Sequence, residues 1–285
     1  TEPGRPAEPA QPAEPGKPIA DATPAESGKS AEPGAETKPI RGIGSAIVEN
    51  METSLSVPTA TSVRDVPAKL LEVNRGVING HLGRSRGGKV SFTHIIGYAI
   101  VRAIADHHPD MAVTFDRDDN DKPLATRHSQ VNIALAIDVE RRGERLLMVP
   151  VIKGAEAMSF DEFVDAYQDV VQRTMDNKLT VEDFQGALVS LTNPGTIGTV
   201  LSVPRLMSGQ SVIFGVGKLD YPAAYQGADP ETIAQLGISK VLTITSTYDH
   251  RVIQGAESGS FLKTLEGLLL GEENFYESIF ADIGV

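Results

Sequence analysis

The chain has 285 residues, no cysteine and a formal net charge of −12. The missing thiols exclude disulfides, a cysteine nucleophile and thiolate metal sites, and the negative charge argues against nucleic acid or an anionic membrane as the main partner. No apolar run reaches the roughly 18 residues that a membrane span needs. We therefore expect a cytoplasmic protein without nucleic-acid or membrane partners. Because the chain opens without an initiator methionine or a secretory leader, we also expect a piece of a longer protein.

The first 38 residues have a composition of their own. They contain eight prolines, eight alanines and six glutamates but no aromatic residue, and the word PAEP recurs. Such a segment buries too little apolar surface to offset the entropy lost on ordering. The sequence therefore predicts a disordered, semi-extended linker over residues 1–38 and one globular domain over residues 39–285.

The domain is predicted to begin with helices and a strand. The apolar spacing before Pro109 indicates a short amphipathic helix, a strand and two longer helices, at about 43–51, 59–66, 69–80 and 91–108. Ser91 is the predicted N-cap of the last of these. Three histidines in this region lack an acidic or thiol cluster at metal spacing, so we interpret them as structural: His94, His107 and His108.

The middle of the domain is predicted to contain a hairpin and a capped helix. Two β-branched runs, 131–139 and 146–152, flank the charged segment 140–145, as the strands of a hairpin would. Ser159 and Glu162 have the spacing of a capping box, which predicts a helix starting there.

The last third returns to strands before a final helix. Short strands are predicted over 188–193 and 211–217, and the Ala-, Gly- and Pro-rich segment 219–240 is predicted to be a loop. The run 241–247 alternates β-branched residues as a buried strand does, and from Gly255 the apolar spacing becomes helical. About five helices and at least six strands, with strands in consecutive pairs, predict an α+β fold with helices packed on a mixed sheet.

A histidine at the end of the last strand is the strongest candidate for chemistry. His250 lies between Asp249 and Arg251, where the strand pattern gives way to the helix that Gly255 opens. The imidazole of free histidine has a pKa of about 6.5, so it can accept a proton at neutral pH. Taken alone, a histidine at such a position is more often a hydrogen-bonded surface residue.

The neighbouring letters favour the catalytic alternative. Asp249-His250-Arg251 followed by Gly255 resembles the active-site motif of the dihydrolipoyl acyltransferases and of chloramphenicol acetyltransferase. Other stretches are similar to the same family in the same order, and the resemblance covers ~240 residues. They are Arg41-x-Ile43, the 131–152 hairpin, Leu191-Thr192-Asn193-x-Gly195-x-x-Gly198 and Val203-Pro204.

The resemblance implies a trimeric, chloramphenicol-acetyltransferase-like α+β fold and acyl transfer between thiols. His250 would take the proton of the coenzyme A thiol, and the hydroxyl of Thr192, from a neighbouring subunit, would stabilise the oxyanion. Asn193 would position these groups. Without the resemblance, Thr192 would be a threonine that satisfies a backbone group at a strand end. The coenzyme A phosphates would need lysine or arginine side chains.

Gln254 and the last residues, 273–280, resemble a more specific group within this family. They are similar to the acyltransferase-like domain of actinobacterial multifunctional 2-oxoglutarate enzymes, and this similarity implies succinyl transfer. No lipoyl-lysine hairpin occurs, so dihydrolipoamide would come from another, lipoyl-bearing chain of the 2-oxoglutarate dehydrogenase complex. No thiamine-binding Gly-Asp-Gly motif occurs either, so thiamine diphosphate and Mg²⁺ would belong to a downstream domain.

Gln254 departs from the wider pattern, which has aspartate before the glycine. The resemblance implies that this aspartate pairs with the arginine matching Arg41 and braces the active-site loop. Glutamine keeps an acceptor and two donors but no charge, so Arg41 would need another carboxylate or water. Asp249 and Glu257 are the nearby candidates in sequence, and we expect Gln254 to support the loop geometry. Three hypotheses follow: an active succinyltransferase, an inactive trimeric scaffold of the same complex, and a stand-alone acetyltransferase of the antibiotic-modifying type.

Overall fold

The computed structural model describes residues 36–85, 87–141 and 143–285, which fall into two units, residues up to Arg41 and residues 42–285. The predicted linker over 1–38 lies almost wholly outside the described residues and stays a prediction, as does the domain boundary at residue 39. Within the described part, no helix combines the length and the hydropathy needed to cross a membrane. The following description concerns residues 42–285.

Seven α-helices form in the described chain: α1 Ile43–Ser54, α2 Lys69–Arg84, α3 Phe92–Arg102, α4 Phe160–Met175, α5 Pro230–Gln235, α6 Gly255–Leu269 and α7 Phe275–Ile283. The predicted caps hold. Ser91 and His94 exchange capping bonds at the start of α3, and Ser159 and Glu162 do so at the start of α4. Each box satisfies donors that the first turn of a helix leaves free, which is why these helices begin where the sequence indicated.

Ten strands occur in the same part of the chain: β1 Thr59–Pro67, β2 Val113–Arg117, β3 Pro123–Arg127, β4 Ile133–Leu135, β5 Ile137–Arg141, β6 Glu144–Met148, β7 Val151–Ile152, β8 Val189–Thr192, β9 Val212–Val216 and β10 Val241–Asp249. Six of them form one sheet in the order β1-β10-β9-β8-β4-β7, and two separate hairpins pair β2 with β3 and β5 with β6. In the large sheet β8 runs parallel to β9 and β4, and the other pairs are antiparallel. The predicted α+β mixed sheet is confirmed.

Strand β10, which lies between the edge strand β1 and β9, is buried on both faces. Alternate residues point to opposite faces of a strand. On one face Ser246 bonds to Ser258 of α6 at 3.0 Å, and on the other Thr245 donates to the carbonyl oxygen of Ser202 at 2.8 Å. Helices therefore cover the first face and the loop after β8 covers the second. The threonines that mark this strand in the sequence are buried because each finds such a partner.

Packed aromatic rings join the helices to the sheet. Phe214 of β9 stacks on Phe261 of α6 with ring centroids 4.9 Å apart, and Tyr98 of α3 meets the edge of Phe160 of α4 at 5.2 Å. All but Tyr98 are fully buried. Burying aromatic side chains of this size provides much of the hydrophobic stabilisation of the core and fixes α3, α4 and α6 against the sheet.

The predicted hairpin over 131–152 is confirmed as an antiparallel pair but is divided in two. β4 and β7 join the large sheet, whereas β5 and β6 form a separate ladder. The division falls at Ala136, whose N–H donates to Leu191 of β8, and at Pro150, which has no N–H to donate. The charged tip is also shorter than predicted, since β5 and β6 continue to Arg141 and Glu144.

Several elements differ from the predictions. The helix predicted over 69–80 continues to Arg84, the segment predicted as a loop over 219–240 contains the short helix α5, and α7 was not predicted. The hairpin of β2 and β3 was missed as well. Every residue of β3 is exposed, so it carries no alternation of buried and polar positions that sequence patterns could detect.

Candidate active site

His250 is the first residue after β10 and is exposed. Its backbone N–H donates to the carbonyl oxygen of Pro58 at 2.9 Å, which extends the pairing between β10 and β1. The ring atom Nδ1 lies 3.1 Å from the carbonyl oxygen of Ile253. A carbonyl oxygen can only accept, so Nδ1 carries the hydrogen and Nε2 keeps its lone pair. The local fold thus presents Nε2 as a base.

An ion pair braces the chain on both sides of His250. Asp249 is buried, and both of its carboxylate oxygens accept hydrogen bonds from Arg251, the shortest at 2.6 Å from Nη2. The guanidinium of Arg251 lies 3.8 Å from the ring centre of Phe115 on β2. Charge-assisted bonds and a cation–π contact therefore fix the turn that carries the histidine. Phe115 was missed by sequence reasoning, because nothing in the missed hairpin indicated its contact.

Gln254 is the N-cap of α6. Its backbone N–H donates to Glu257 Oε2 at 2.6 Å, and the two residues form a reciprocal capping box. The side chain of Gln254 is exposed. In the structure, this residue starts the helix that follows the histidine turn.

The predicted partner of Arg41, another carboxylate or water, stays a prediction, because Arg41 ends the first unit of the chain and the candidate carboxylates lie in the second. Arg41 itself is exposed. The two carboxylates nearest to the histidine in sequence are bonded within the second unit, Asp249 to Arg251 and Glu257 to the N–H of Gln254.

Thr192 is the last residue of β8, where it pairs with Gly215 of β9. The next residue, Asn193, turns towards α3, and its Nδ2 donates to Thr93 Oγ1 at 2.7 Å. Thr196 Oγ1 donates back to the carbonyl oxygen of Asn193 at 3.0 Å. The end of β8 is therefore fixed by neutral hydrogen bonds. Thr93 was not singled out from the sequence, since it is separated from Asn193 by 100 positions.

His250 and Thr192 lie at opposite ends of the sheet within one chain. Thr192 is in register with Gly215, and Gly215 with Thr245 of β10, so His250 lies five residues farther along β10. At about 3.3 Å per residue and about 4.8 Å between strands, their Cα atoms are separated by about 19 Å. General-base chemistry needs heavy atoms within about 3 Å or one bridging water. One chain cannot bring these two side chains to the same substrate atom.

An open cleft of about 400 Å³ adjoins the end of β8, and it is partly polar. Burial raises the pKa of one lining group, Tyr167, to about 12, so its hydroxyl stays neutral at physiological pH. The cleft is large enough for part of a small organic ligand. Its lining includes Thr93, Asp138, Tyr167, Leu191, Asn193 and Thr196.

The structure holds no candidate metal centre in the part of the chain that it describes: nowhere there do three His, Asp or Glu side chains come together in a suitable cluster. His94 caps α3, His107 bonds to Glu273 at 2.8 Å and His108 bonds to Thr264 at 2.8 Å. These three histidines thus make contacts between elements of the fold.

Comparison with protein families identifies the fold and the chemistry together. A family model described as "2-oxoacid dehydrogenases acyltransferase (catalytic domain)" matches residues 32–276. The chain belongs to this family. It is an acyltransferase catalytic domain, which agrees with the resemblance of the motif around His250.

The similar curated proteins are much longer than this acyltransferase domain. A protein from Mycolicibacterium vanbaalenii named "Multifunctional 2-oxoglutarate metabolism enzyme" is 55% identical over 251 residues, which cover 88% of this chain and 20% of that protein. A protein of the same name from Mycobacterium sp. (strain JLS) is 56% identical over 247 residues, 86% of this chain and 19% of that protein. The chain spans about a fifth of the length of these relatives.

Solved acyltransferase structures confirm the fold class. A probable dihydrolipoamide acetyltransferase from Listeria monocytogenes matches with a TM-score of 0.71 and 23% identity, covering 87% of this chain and 97% of that one. The Azotobacter vinelandii dihydrolipoamide acetyltransferase matches with a TM-score of 0.71 and 23% identity, covering 90% and 99%. That structure was solved in a study of the roles of a serine, a histidine and an asparagine in its catalytic mechanism.

Proposed function

We propose that this acyltransferase domain transfers a succinyl group between dihydrolipoamide and coenzyme A as part of a 2-oxoglutarate dehydrogenase system. The observation that carries the proposal is the bond of His250 Nδ1 to the carbonyl oxygen of Ile253, which leaves the Nε2 lone pair to act as the base at the end of β10 in a chain of the acyltransferase family. The choice of succinyl is supported by relatives more than half identical that are named for 2-oxoglutarate metabolism.

The proposed chemistry uses His250 first as a base and then as an acid. A thiol with a pKa of about 8.5 is mostly protonated at neutral pH, so Nε2 takes the proton from the sulfur of coenzyme A. The thiolate attacks the thioester carbon of succinyl-dihydrolipoamide. When the tetrahedral intermediate collapses, the bond from carbon to the lipoyl sulfur breaks, and that sulfur takes the proton back from the imidazolium. Proton transfer of this kind typically contributes about 10²–10⁴ in rate.

The oxyanion of the intermediate needs a donor, and we assign this role to the Thr192 hydroxyl of a second copy. Within one chain the two groups are separated by most of the sheet, so a complete site requires two chains. The simplest closed arrangement is a ring in which each chain gives its histidine to one neighbour and its threonine to the other. We propose a homotrimer.

The surface beside Thr192 is suited to such an interface. The loop after β8 exposes four large aliphatic side chains in seven residues: Ile197, Val200, Leu201 and Val203. This loop is held rigidly, because the backbone N–H of Lys218 donates to the carbonyl oxygen of Thr199 at 2.8 Å. The loop also packs so closely on Gly217 that a Cβ there would collide with the carbonyl oxygen of Val200. A fixed apolar surface that continues from a half-site supports contact with another copy of this chain.

The proposed cofactors and partners follow from the chemistry. Coenzyme A enters as a substrate, and the lipoamide is supplied by a lipoyl-bearing chain of the complex. Thiamine diphosphate and Mg²⁺ would act in another domain, as the resemblance to the multifunctional 2-oxoglutarate enzymes implies. We propose the cytoplasm, within the tricarboxylic acid cycle, as the place of action, with no nucleic-acid or membrane partner.

Complementation between two impaired variants tests the shared site. His250→Ala and Thr192→Ala chains are each expected to slow succinyl transfer from succinyl-CoA to dihydrolipoamide by about 10² or more. If the two chains are unfolded together and refolded at equal amounts, random assortment in a trimer should give about a quarter of wild-type activity. In that fraction of sites the histidine comes from a Thr192→Ala chain and the threonine from a His250→Ala chain. Refolding each variant alone is the control, and a mixture no more active than its components would contradict a site between chains.

The alternative function is a catalytically weak trimeric scaffold of the same complex. The observation that favours it is Gln254, an amide where the wider family pattern has an acidic residue. The assay of wild-type transfer separates the two functions: a well-folded trimer that turns over no succinyl-CoA supports the scaffold and overturns the transferase. An acyl-acceptor screen tests the third hypothesis, antibiotic acetylation.

A further inference from the structure

The end of β8 is held from the helix side by a contact that no sequence motif indicated. Asn193, directly after Thr192, donates from Nδ2 to Thr93 Oγ1 at 2.7 Å. Thr93 is the second residue of α3, whose start is fixed by the Ser91 capping box. The bond therefore connects the first turn of a rigid helix to the residue beside the proposed oxyanion donor.

The packing of α3 on β8 explains why Thr93 reaches Asn193. One helical turn after Thr93 is Gly97, where a Cβ would lie 3.3 Å from both Leu191 Cδ2 and Phe163 Cζ. Residues four apart share one face of a helix, and residues two apart share one face of a strand. The packing that brings Gly97 next to Leu191 therefore also brings Thr93, one helical turn before Gly97, next to Asn193, two residues after Leu191.

The opposite side of the same strand end is fixed by backbone packing. A Cβ at Gly195 would collide with the carbonyl oxygen of Gly217, just beyond β9, so the turn after Thr192 lies directly on its neighbour. Thr192 itself alternates with Leu191 and Asn193 and therefore faces away from α3. Thr93 and Gly195 confine the strand end from two directions, and the Thr192 hydroxyl is left on the face of β8 opposite α3.

We infer that Thr93 is a positioning residue for acyl transfer: its hydroxyl fixes Asn193, and through it the Thr192 hydroxyl, at the position where the oxyanion forms. This inference rests on the proposed function. A donor to an oxyanion works only if it is already in place when the charge develops, and small misplacements in an active site are costly. A threonine that never touches substrate can thus set the rate.

Removing the Thr93 hydroxyl without changing its shape tests the inference. Thr93→Val is expected to lower kcat for succinyl transfer about tenfold, with little change in KM, because oxyanion contacts act mainly in the transition state. Thr93→Ser keeps the acceptor and should restore most of the activity. Asn193→Ala breaks the same bond from the other side and should give a similar loss. The matched control is Thr232→Val, in a threonine whose hydroxyl bonds to Asp229 nearby in sequence.

The decisive comparison is made in a Thr192→Ala background. If Thr93 acts through the Thr192 hydroxyl, Thr93→Val should cause little further loss once that hydroxyl is gone. The inference is overturned, and Thr93 has a structural role, if Thr93→Val lowers kcat equally in both backgrounds or changes KM alone. A drop in melting temperature that Thr93→Ser shares would lead to the same conclusion. Unchanged kcat in Thr93→Val, with an active wild type, would also overturn the inference. A wild type without any transfer overturns the proposed function itself and this inference with it.

Discussion

The two strand ends that carry the proposed site are stabilised by different physical means. At the end of β10 the turn bearing His250 is fixed by a buried carboxylate, a guanidinium over an aromatic ring and a helix cap. At the end of β8 the turn after Thr192 is fixed by a neutral hydrogen bond and by backbone packing at glycines.

The difference matches the proposed roles of the two side chains. One ring nitrogen of the base must point at the substrate while the other is held by a hydrogen bond. The carbonyl oxygen of Ile253 accepts that bond from His250 Nδ1. The oxyanion donor must hold its place while negative charge develops, and a nearby carboxylate would oppose that charge. A charged brace is therefore suited to the histidine turn, and a neutral one to the threonine turn.

Loss of the base should have the largest effect. His250→Ala is expected to reduce succinyl transfer by about 10² or more, while the melting temperature stays close to wild type because the side chain is exposed. Steady-state kinetics and thermal unfolding on the same preparation measure both. Near-native turnover in a folded variant would remove His250 from the mechanism.

Breaking the charged brace should lower stability more than breaking an exposed ion pair. Arg251→Met leaves the buried Asp249 carboxylate with the backbone N–H of residue 251 but without its charged partner, and we expect the free energy of unfolding to fall by on the order of 3 kcal/mol. The matched control is Arg145→Met, whose pair with Asp138 is exposed and should be worth less than about 1 kcal/mol. Equal losses in urea titrations of the two variants would show that the brace does not stabilise the turn.

Acid should destabilise the threonine end through His94. This ring is buried beside Tyr167, and burial lowers its pKa from 6.5 to about 4. Its Nδ1 accepts from the Ser91 N–H at 3.2 Å, so the proton of the neutral ring is on Nε2. Below pH 6.5 the unfolded chain binds a proton that the folded chain does not, so stability falls as the pH decreases towards 4, by up to about 1.4 kcal/mol per pH unit.

Unfolding titrations between pH 7 and pH 4 measure this dependence. His94→Gln should flatten the curve over this range, whatever its effect at pH 7. Hydrogen exchange at pH 5 should show the start of α3 and the end of β8 opening before the turn that bears His250. An unchanged slope in His94→Gln would contradict the assignment.

Changes at Gln254 should have the smallest effects. Because Gln254 caps α6, Gln254→Ala is expected to lower the free energy of unfolding by about 1 kcal/mol and to lower the activity no more than that loss of stability accounts for. Gln254→Asp places a good capping residue at this position and should be tolerated. Kinetics and thermal unfolding of the two variants test this. A hundredfold gain in turnover from Gln254→Asp would show that the natural domain is impaired, and the scaffold function would then gain support.

Local interactions are what the sequence alone determined. The capping boxes at Ser91 and Ser159, the alternation along β10 and the change to helical spacing at Gly255 all act over a few residues, so their patterns are visible without a fold. The residues of the candidate site were found through a resemblance to a family.

The tertiary structure decided how those residues are arranged. Strand order and direction place His250 and Thr192 at opposite ends of one sheet, because β10 runs antiparallel to β9 while β8 runs parallel to it. The contacts of Phe115 with Arg251 and of Thr93 with Asn193 join elements that are distant in sequence, so patterns among neighbouring residues could not predict them. Contacts between residues a hundred or more positions apart depend on how the sheet and its helices pack, and that packing is a property of the whole chain.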